Sequence, residues 1–200
     1  MGNTNKALLM LDFQEGICRP DGALGAAMGT GDQVVERGTL EAAARCLAAA
    51  RESGVAVVHS RVGFEPGYVN RTNRSAAFAG FEENGIMGLD SADAAICPEV
   101  AAGEGEPVLA RGWVDPFLNT PLAAILHAHR VAAVYMGGVA TNFVVESAAR
   151  HAGDLGFEVI VVDEMSASLS AEMHSFSIEN LIPSFGRVAG VDEAVAELGR

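Results

Sequence analysis

Short apolar runs alternate along the chain with longer stretches in which apolar residues recur at helical spacing. The strand-length runs are residues 7–11, 55–59, 108–110, 131–136 and 159–162, with an edge strand at 187–189. The helical spacing predicts helices over residues 34–53, 120–129, 142–155 and 171–181. This alternation predicts a three-layer α/β/α fold around a mostly parallel, six-stranded sheet.

A long segment between the second and third predicted strands lacks clear periodicity. Residues 63–106 are rich in Gly, Asn, Glu and Pro. A long irregular segment inside a compact domain commonly forms a lid or a pocket wall. The length of 200 residues suits one α/β domain, so we expect a single domain over residues 1–200.

The charge balance argues against several classes of partner. The chain has 13 Lys and Arg residues against 26 Asp and Glu residues, a formal net charge of -13. Such a surface repels phosphate backbones and anionic membranes, so we expect no binding to nucleic acid or to a membrane. No apolar run approaches the roughly 20 residues of a membrane helix, and residues 1–6 lack the apolar stretch of a signal peptide. These features predict a cytoplasmic location.

Charged residues follow the predicted strands at their carboxyl ends, where ligands bind in parallel sheets. Asp12, Arg61 and Arg111 follow the first three strands, and residues 138–144 follow the fourth. A carboxylate directly after an apolar run is costly to bury unless it is paired or lies at a pocket surface. Asp12 is therefore interpreted as a general acid or base tuned by burial and a nearby cation, or else as a helix cap or structural ion pair.

Arg111 is the cation expected to meet Asp12. An arginine stays protonated and presents a flat, forked set of donors, so Arg111 can orient Asp12 and bind an anionic group. It is not expected to act as an acid or base. The alternative is a salt bridge that only balances charge.

The irregular segment and the residues beside the key positions supply candidate binding groups. Arg71 and Arg74 are candidate carboxylate ligands, with a solvated surface loop as the alternative. Phe13, Trp113 and Phe143 could form an apolar pocket wall or could belong to the core. The complete predicted substrate-binding set is Phe13, Arg61, Tyr68, Arg71, Arg74, Trp113, Phe117, Asn142 and Phe143.

The cysteines and histidines predict no metal site. Cys18, Cys46 and Cys97 are odd in number and widely spaced, which fits neither a disulfide framework nor a C-x-x-C motif. Cys46 and Cys97 are expected in the core, whereas Cys18 lies where it could reach a pocket. The histidines lack partners at ligand spacing, so we predict no metal and no cofactor.

Two blocks of sequence resemble a known family. One is GGVATNFVVESA at residues 137–148, which reads as a strand end, a tight turn and a helix start capped by Thr141. The other is the spacing of Arg111, Phe117 and the Thr120-Pro121-Leu122 tripeptide. With Asp12, these blocks make the chain similar to the isochorismatase-like hydrolases, also called the cysteine hydrolase superfamily, from residue 7 to about residue 191. The resemblance implies that family's Rossmann-like fold.

The resemblance also implies roles for the turn, and this chain departs from the family's usual residues at two positions. In most of the family a catalytic cysteine stands where this chain has Val144, and a lysine stands where it has Arg111. The resemblance implies a cis peptide bond between Val139 and Ala140, and an oxyanion hole formed by the backbone N–H groups of Ala140 and Val144. It further implies a homodimer or a homotetramer.

Because valine cannot attack a substrate, the resemblance leaves three hypotheses for function. The first is acid–base hydrolysis of a vinyl ether, or of a related C–O or C–N bond, in a small carboxylate-bearing metabolite. Asp12 would be the acid, and Arg111 with Arg71 or Arg74 would hold the carboxylate. The second is a catalytically silent protein that binds a small molecule or a partner. The third is an amidase or esterase in which Asp12 activates water directly.

Overall fold

Six parallel strands form one sheet at the centre of the molecule. The computed structural model describes residues 5–200. The strands are β1 (Lys6–Leu11), β2 (Ala56–Val62), β3 (Val108–Arg111), β4 (Ala133–Gly138), β5 (Glu158–Val162) and β6 (Arg187–Ala189). They lie in the order β3-β2-β1-β4-β5-β6, and every neighbouring pair is parallel. The predicted α/β fold is confirmed.

Helices cover both faces of this sheet. They are α1 (Glu15–Cys18), α2 (Ala23–Met28), α3 (Thr30–Arg37), α4 (Thr39–Glu52), α5 (Ala76–Glu83), α6 (Leu122–Ala128), α7 (Glu146–Asp154), α8 (Ala171–Phe176) and α9 (Val191–Leu198). Alternate residues of β1 point to opposite faces, so Leu8 joins Leu47 of α4 in one apolar cluster and Leu9 joins Leu126 of α6 in the other. A strand covered on both faces is apolar throughout, which explains why continuous apolar runs predicted these strands.

The helix predictions are right in position and wrong in several details. Gly38 adopts a left-handed conformation with φ 63°, and this break divides the helix predicted over residues 34–53 into α3 and α4. A wider π-helical turn over Thr141–Val145 replaces the start of the helix predicted over residues 142–155. Another over Ser177–Leu181 replaces the end of the helix predicted over residues 171–181. Sequence analysis missed α1, α2, α5 and α9, and α5 lies within the segment predicted to be irregular.

The ends of β1 and β4 approach each other closely at two glycines. A Cβ atom on Gly138 would lie 2.1 Å from the carbonyl oxygen of Leu11, and one on Gly137 would lie 2.6 Å from that of Met165. No side-chain carbon tolerates such contacts with a backbone atom, so only glycine fits at these positions. The close approach places Asp12, directly after β1, beside the turn that follows β4.

Within residues 5–200, no helix has both the length and the apolar character needed to cross a bilayer. Residues 1–4 lie outside the described part of the chain, and they include most of the segment from which the absence of a signal peptide was predicted.

Candidate active site

Asp12 and Arg111 form a buried ion pair at the carboxyl edge of the sheet. Asp12 follows β1 and Arg111 ends β3, and the intervening strand β2 brings Ser60 between them. Nη1 and Nη2 of Arg111 donate to Oδ1 and Oδ2 of Asp12, each at 2.7 Å. Nη1 also donates to the Ser60 hydroxyl oxygen at 3.0 Å. The structure thus brings together two of the three charged residues that the strand-end rule selected, and the third, Arg61, donates instead to the carbonyl oxygen of Ala94.

Every N–H group of the Arg111 guanidinium has an acceptor. Besides the bonds to Asp12 and Ser60, Nε and Nη2 donate to the carbonyl oxygen of Val114 at 3.0 and 2.7 Å. A guanidinium has five N–H donors, and these contacts use all of them. Arg111 is also 1% exposed. Arg111 therefore has no N–H group left for an anionic ligand in this arrangement, because the chain folds back after β3 and supplies the carbonyl group of Val114. Binding of a ligand's anionic group by Arg111 stays a prediction.

Burial raises the pKa of the Asp12 carboxyl above its ordinary value of 3.8. The charge and hydrogen bonds of Arg111 act in the opposite direction and are outweighed. Asp12 is 4% exposed and adopts a left-handed backbone conformation with φ 57°. A paired carboxylate with a raised pKa is suited to accept a proton and to return it.

A small pocket opens beside the ion pair, with a volume of about 80 Å³. Its polar lining residues are Asp12, Thr30 and Arg111. Its other lining residues are Ile17, Leu24, Met28, Val62, Ala77, Phe78, Phe81, Val114, Val139, Ala140, Phe143 and Val144. The lining is therefore almost entirely apolar.

Two of the helices that sequence analysis missed form a wall of this pocket. Leu24 and Met28 come from α2, and Phe78 and Phe81 come from α5. Phe78 and Phe81 are three residues apart, a spacing that places two rings on one helix face, and this was the available signal for α5. The prediction that the irregular segment contributes to a pocket wall agrees with the position of α5.

The turn after β4 lies against Asp12, as its sequence suggested. The Val139–Ala140 peptide bond is cis. Ala140, Phe143 and Val144 line the pocket. The oxyanion hole formed by the backbone N–H groups of Ala140 and Val144 stays a prediction, and the position of both residues beside Asp12 is consistent with it.

A chain of polar side chains holds this turn from within the protein. The Thr141 hydroxyl pairs with Nδ1 of His174 at 2.8 Å, and Nε2 of His174 pairs with Asp163 at 2.7 Å. Arg37 also donates to Asp163 at 2.7 Å. The hydrogen bond from His174 to Asp163 lowers the pKa of Asp163, and the charge of Arg37 adds to this effect. The prediction that Thr141 caps the helix is wrong, because its hydroxyl serves His174 and makes no cap bond. No sequence spacing links residues so far apart.

Most of the predicted substrate-binding residues lie away from this pocket. Arg71 pairs with Glu82 at 2.6 Å, and Arg74 is exposed on the same segment. Arg61 donates to the carbonyl oxygen of Ala94 at 2.9 Å. The alternative interpretation of Arg71 and Arg74 as part of a surface loop is the one that fits. None of these three arginines lines the pocket, and their role in binding substrate stays a prediction that the pocket lining does not support.

The predicted aromatic and amide ligands have structural partners instead. Phe13 is in the core, and Phe117 stacks on His151 with ring centroids 5.1 Å apart. Tyr68 donates to the carbonyl oxygen of Ile86 and Trp113 to that of Leu118, each at 2.8 Å. Asn142 accepts a hydrogen bond from the Ser168 hydroxyl at 2.5 Å. Within the predicted substrate-binding set, the pocket lining contains Phe143 alone.

Cys18 does not take the place of a missing nucleophile. Its sulfur contacts the carbonyl oxygen of Asp12 at 3.9 Å, and Cys18 is not among the residues that line the pocket. A hydrogen bond with Cys97, together with burial, raises the pKa of Cys18 well above the ordinary thiol value. Cys18 is therefore an inert thiol. Cys46 and Cys97 are buried in the core, as predicted.

One group of potential metal ligands occurs within residues 5–200. Glu15, Cys97 and Glu99 lie close enough together to share an ion. Arg19 already pairs with both carboxylates, with Glu15 at 2.8 Å and with Glu99 at 2.7 Å. The guanidinium supplies the positive charge that a cation would bring, so this cluster is explained as an ion-pair network.

Comparisons with known proteins agree with the fold and identify relatives. The Isochorismatase domain family matches residues 6–193. A maleamate amidohydrolase from Pseudomonas putida is 31% identical over 96% of this chain and 86% of its own length. A ureidoacrylate amidohydrolase from Methylobacterium radiotolerans is 27% identical over 96% of this chain and 79% of its own.

Solved structures share the same architecture. An isochorismatase family protein from Burkholderia thailandensis has a TM-score of 0.81 at 22% identity, covering 98% of this chain and 96% of its own. A cysteine hydrolase from Pseudomonas syringae has a TM-score of 0.84 at 20% identity, covering 99% and 94%. At these identities the likeness concerns the fold.

Proposed function

This chain belongs to the isochorismatase domain family of hydrolases, and from that premise we propose that it hydrolyses a small molecule without a cysteine nucleophile. The Asp12 carboxylate is proposed as a general base that activates water against an amide or ester carbonyl carbon. The side chain of Val144, where the resemblance places a catalytic cysteine, is apolar and cannot attack a substrate. Two relatives are named as amidohydrolases, of maleamate and of ureidoacrylate, and these names favour an amide bond.

The observation that supports this proposal is that Asp12 is the one lining side chain able to exchange a proton, among residues 5–200. Arg111 stays protonated, and the Thr30 hydroxyl is far too weak an acid. Burial raises the pKa of Asp12, which makes its carboxylate a stronger base. The two hydrogen bonds from Arg111 fix the plane of that carboxylate.

In the proposed reaction Asp12 takes one proton and returns it. Asp12 accepts a proton from water while the water oxygen bonds to the carbonyl carbon. The carbonyl oxygen becomes negatively charged, and the backbone N–H groups of Ala140 and Val144 are proposed to stabilise it. The C–N or C–O bond then breaks, and Asp12 gives its proton to the leaving amine or alcohol. The products are a carboxylic acid and an amine or alcohol, and Asp12 is again a carboxylate.

A second candidate is protonation of a vinyl ether by Asp12, the hypothesis placed first from the sequence. The raised pKa of Asp12 favours it, because more of the carboxyl is then protonated. However, Arg111 donates to both oxygens of Asp12, and such donors favour the carboxylate form. We therefore place general-base hydrolysis first. The two mechanisms predict opposite pH dependence. If Asp12 acts as a base, activity rises with pH through its pKa, and if Asp12 acts as an acid, activity falls.

Asp12→Asn tests the proposal, with Glu106→Gln as its control. Asparagine keeps the shape of the side chain and tolerates the φ of 57° at position 12, but it cannot accept the proton. We expect kcat/KM for p-nitrophenyl butyrate to fall by about 10²–10⁴-fold. Glu106→Gln removes another arginine-paired carboxylate, one outside the pocket lining, and is expected to leave the rate unchanged.

The same assay separates the remaining hypotheses. Circular dichroism of Asp12→Asn verifies that it is folded, and the pH profile of the wild type gives a readout that needs no variant. Full activity in folded Asp12→Asn would refute the role of Asp12. Ligand binding by the wild type without turnover of esters, amides or enol ethers would favour the silent binding protein.

A further inference from the structure

The pocket beside Asp12 offers no free charge to a ligand. Its two charged lining residues, Asp12 and Arg111, neutralise each other. All five N–H donors of Arg111 are occupied by Asp12, Ser60 and Val114. A carboxylate could bind Arg111 only by displacing one of these buried acceptors, which would then lack a donor. The pocket is therefore closed to anions at the place where an anion would be expected.

Within the described part of the chain, two of the other basic residues near this edge are paired with carboxylates, whereas Arg61 and Arg74 are not but lie outside the pocket lining. Arg71 contacts Glu82 at 2.6 Å, and Arg37 contacts Asp163 at 2.7 Å. The whole chain has a formal net charge of -13, so its field repels an approaching anion. A carboxylate entering the pocket would lose its hydration without gaining a partner, and such a transfer is costly.

The walls of the pocket favour an apolar ligand. Phe78 and Phe81 of α5 face the pocket together with Leu24 of α2, and Phe143 and Val144 complete the side that leads to Asp12. Apolar surface that is removed from water here contributes favourably in proportion to its area. Each methylene group that a ligand buries is expected to tighten binding by about fourfold.

We propose that the ligand of this pocket is an uncharged, predominantly apolar small molecule, such as an aliphatic amide or ester. This replaces the carboxylate-bearing metabolite expected from the sequence. The inference rests on the proposed function for the choice of an amide or ester. It concerns binding, so it can fail or succeed separately from catalysis. The saturated guanidinium of Arg111 and the apolar walls are the observations behind it.

The test compares two amides that differ at one end. Butanamide and succinamate share an amide and two methylene groups, and the methyl group of the first is a carboxylate in the second. Each is titrated into the wild-type protein, and binding is followed by the NMR shifts of the Phe and Val side chains. We expect saturable binding of butanamide and about fourfold tighter binding of pentanamide. Succinamate is expected to bind at least about 10-fold more weakly than butanamide.

Asp12→Asn is expected to reverse the preference for butanamide over succinamate. Removing the carboxylate leaves the Arg111 guanidinium uncompensated, so succinamate is expected to bind Asp12→Asn more tightly than butanamide does. Arg71→Gln is the matched control: it removes an arginine first considered as a carboxylate ligand, and is expected to leave both affinities as in the wild type.

The outcomes are distinct. Selective binding of butanamide with reversal in Asp12→Asn supports the inference, whether or not any ester or amide is hydrolysed. Wild-type binding of succinamate as tight as that of butanamide, or the absence of saturable butanamide binding, overturns it. Absence of turnover alone counts against the proposed function and leaves the inference intact.

Discussion

Two arginine–carboxylate pairs in this molecule are both bidentate and differ in their surroundings, Arg111 donating through Nη1 and Nη2 and Arg51 through Nε and Nη2. Two nitrogens of Arg111 donate to the two oxygens of Asp12, both at 2.7 Å, and two nitrogens of Arg51 donate to those of Glu106, both at 2.8 Å. The side chains of Arg111 and Asp12 are 0% and 5% exposed, against 40% and 14% for Arg51 and Glu106. The pKa of Asp12 is raised, whereas that of Glu106 is lowered to about 2.

The comparison shows that burial and the number of donors decide what a paired carboxylate can do. Burial raises the pKa of Glu106 as well, but hydrogen bonds from Arg51, the Gly103 N–H group and His59 outweigh it. At Asp12 only the side chain of Arg111 lowers the pKa, and the increase caused by burial is larger. A carboxylate with a pKa of about 2 is a weak base, and one with a raised pKa is stronger. The Arg51–Glu106 pair is thus suited to holding structure and the Arg111–Asp12 pair to proton transfer.

Arg111→Met should produce the largest loss in the free energy of unfolding. It leaves the buried Asp12 carboxylate without a counter-charge, and we expect the free energy of unfolding to fall by about 3–5 kcal/mol. Urea denaturation measures this change. Arg51→Met, which breaks the more exposed pair, is the control and should cost only about 0.2–1 kcal/mol. Equal losses in the two variants would show that burial does not distinguish the pairs.

Arg111→Lys should have an intermediate effect. Lysine keeps the positive charge but loses the forked donor set, so it cannot serve Asp12, Ser60 and Val114 together. We expect a loss of about 1–3 kcal/mol in the free energy of unfolding, because a buried acceptor is left without a donor. Denaturation under the conditions used for Arg111→Met gives the comparison. A loss as large as that of Arg111→Met would indicate that charge alone contributes nothing.

Glu106→Gln should give the smallest effect, and one that depends on pH. The pKa of Glu106 is lowered from 4.5 to about 2 in the folded protein, so the folded state binds fewer protons than the unfolded state between these values. Its stabilising contribution is therefore present above pH 4.5 and is lost as the pH falls through about 2. The difference in unfolding free energy between wild type and Glu106→Gln should shrink accordingly on acidification. A constant difference across this range would contradict the assignment.

The sequence predicted the sheet and the meeting of Asp12 with Arg111 because both depend on local patterns. Apolar runs specify strands covered on both faces, and strand ends collect at one edge of a parallel sheet. The saturation of Arg111 depends on where the carbonyl group of Val114 lies, and no periodicity encodes a carbonyl position. The wall formed by α2 and α5 was missed because the two helices have six and eight residues, too short for a clear period.

The arginines predicted to bind substrate lie away from the pocket for a related reason. Arg71 is close in sequence to Glu82, and pairing with it removes the charge that was assigned to a substrate. The network of Thr141, His174 and Asp163 joins residues from separate parts of the chain, so only the fold reveals it. The oligomeric state and the cytoplasmic location stay predictions.

The most direct test of the central claim is a carbon NMR titration of the Asp12 carboxyl group in the wild-type protein, with Asp12→Asn used to assign the signal. If burial outweighs Arg111, Asp12 titrates above its ordinary value of 3.8, while Glu106 in the same sample titrates near 2. The pH profile of hydrolysis should then have its midpoint at the titration midpoint of Asp12. Titration of Asp12 at or below 3.8 would contradict the account, because Asp12 would then be no stronger a base than an ordinary aspartate.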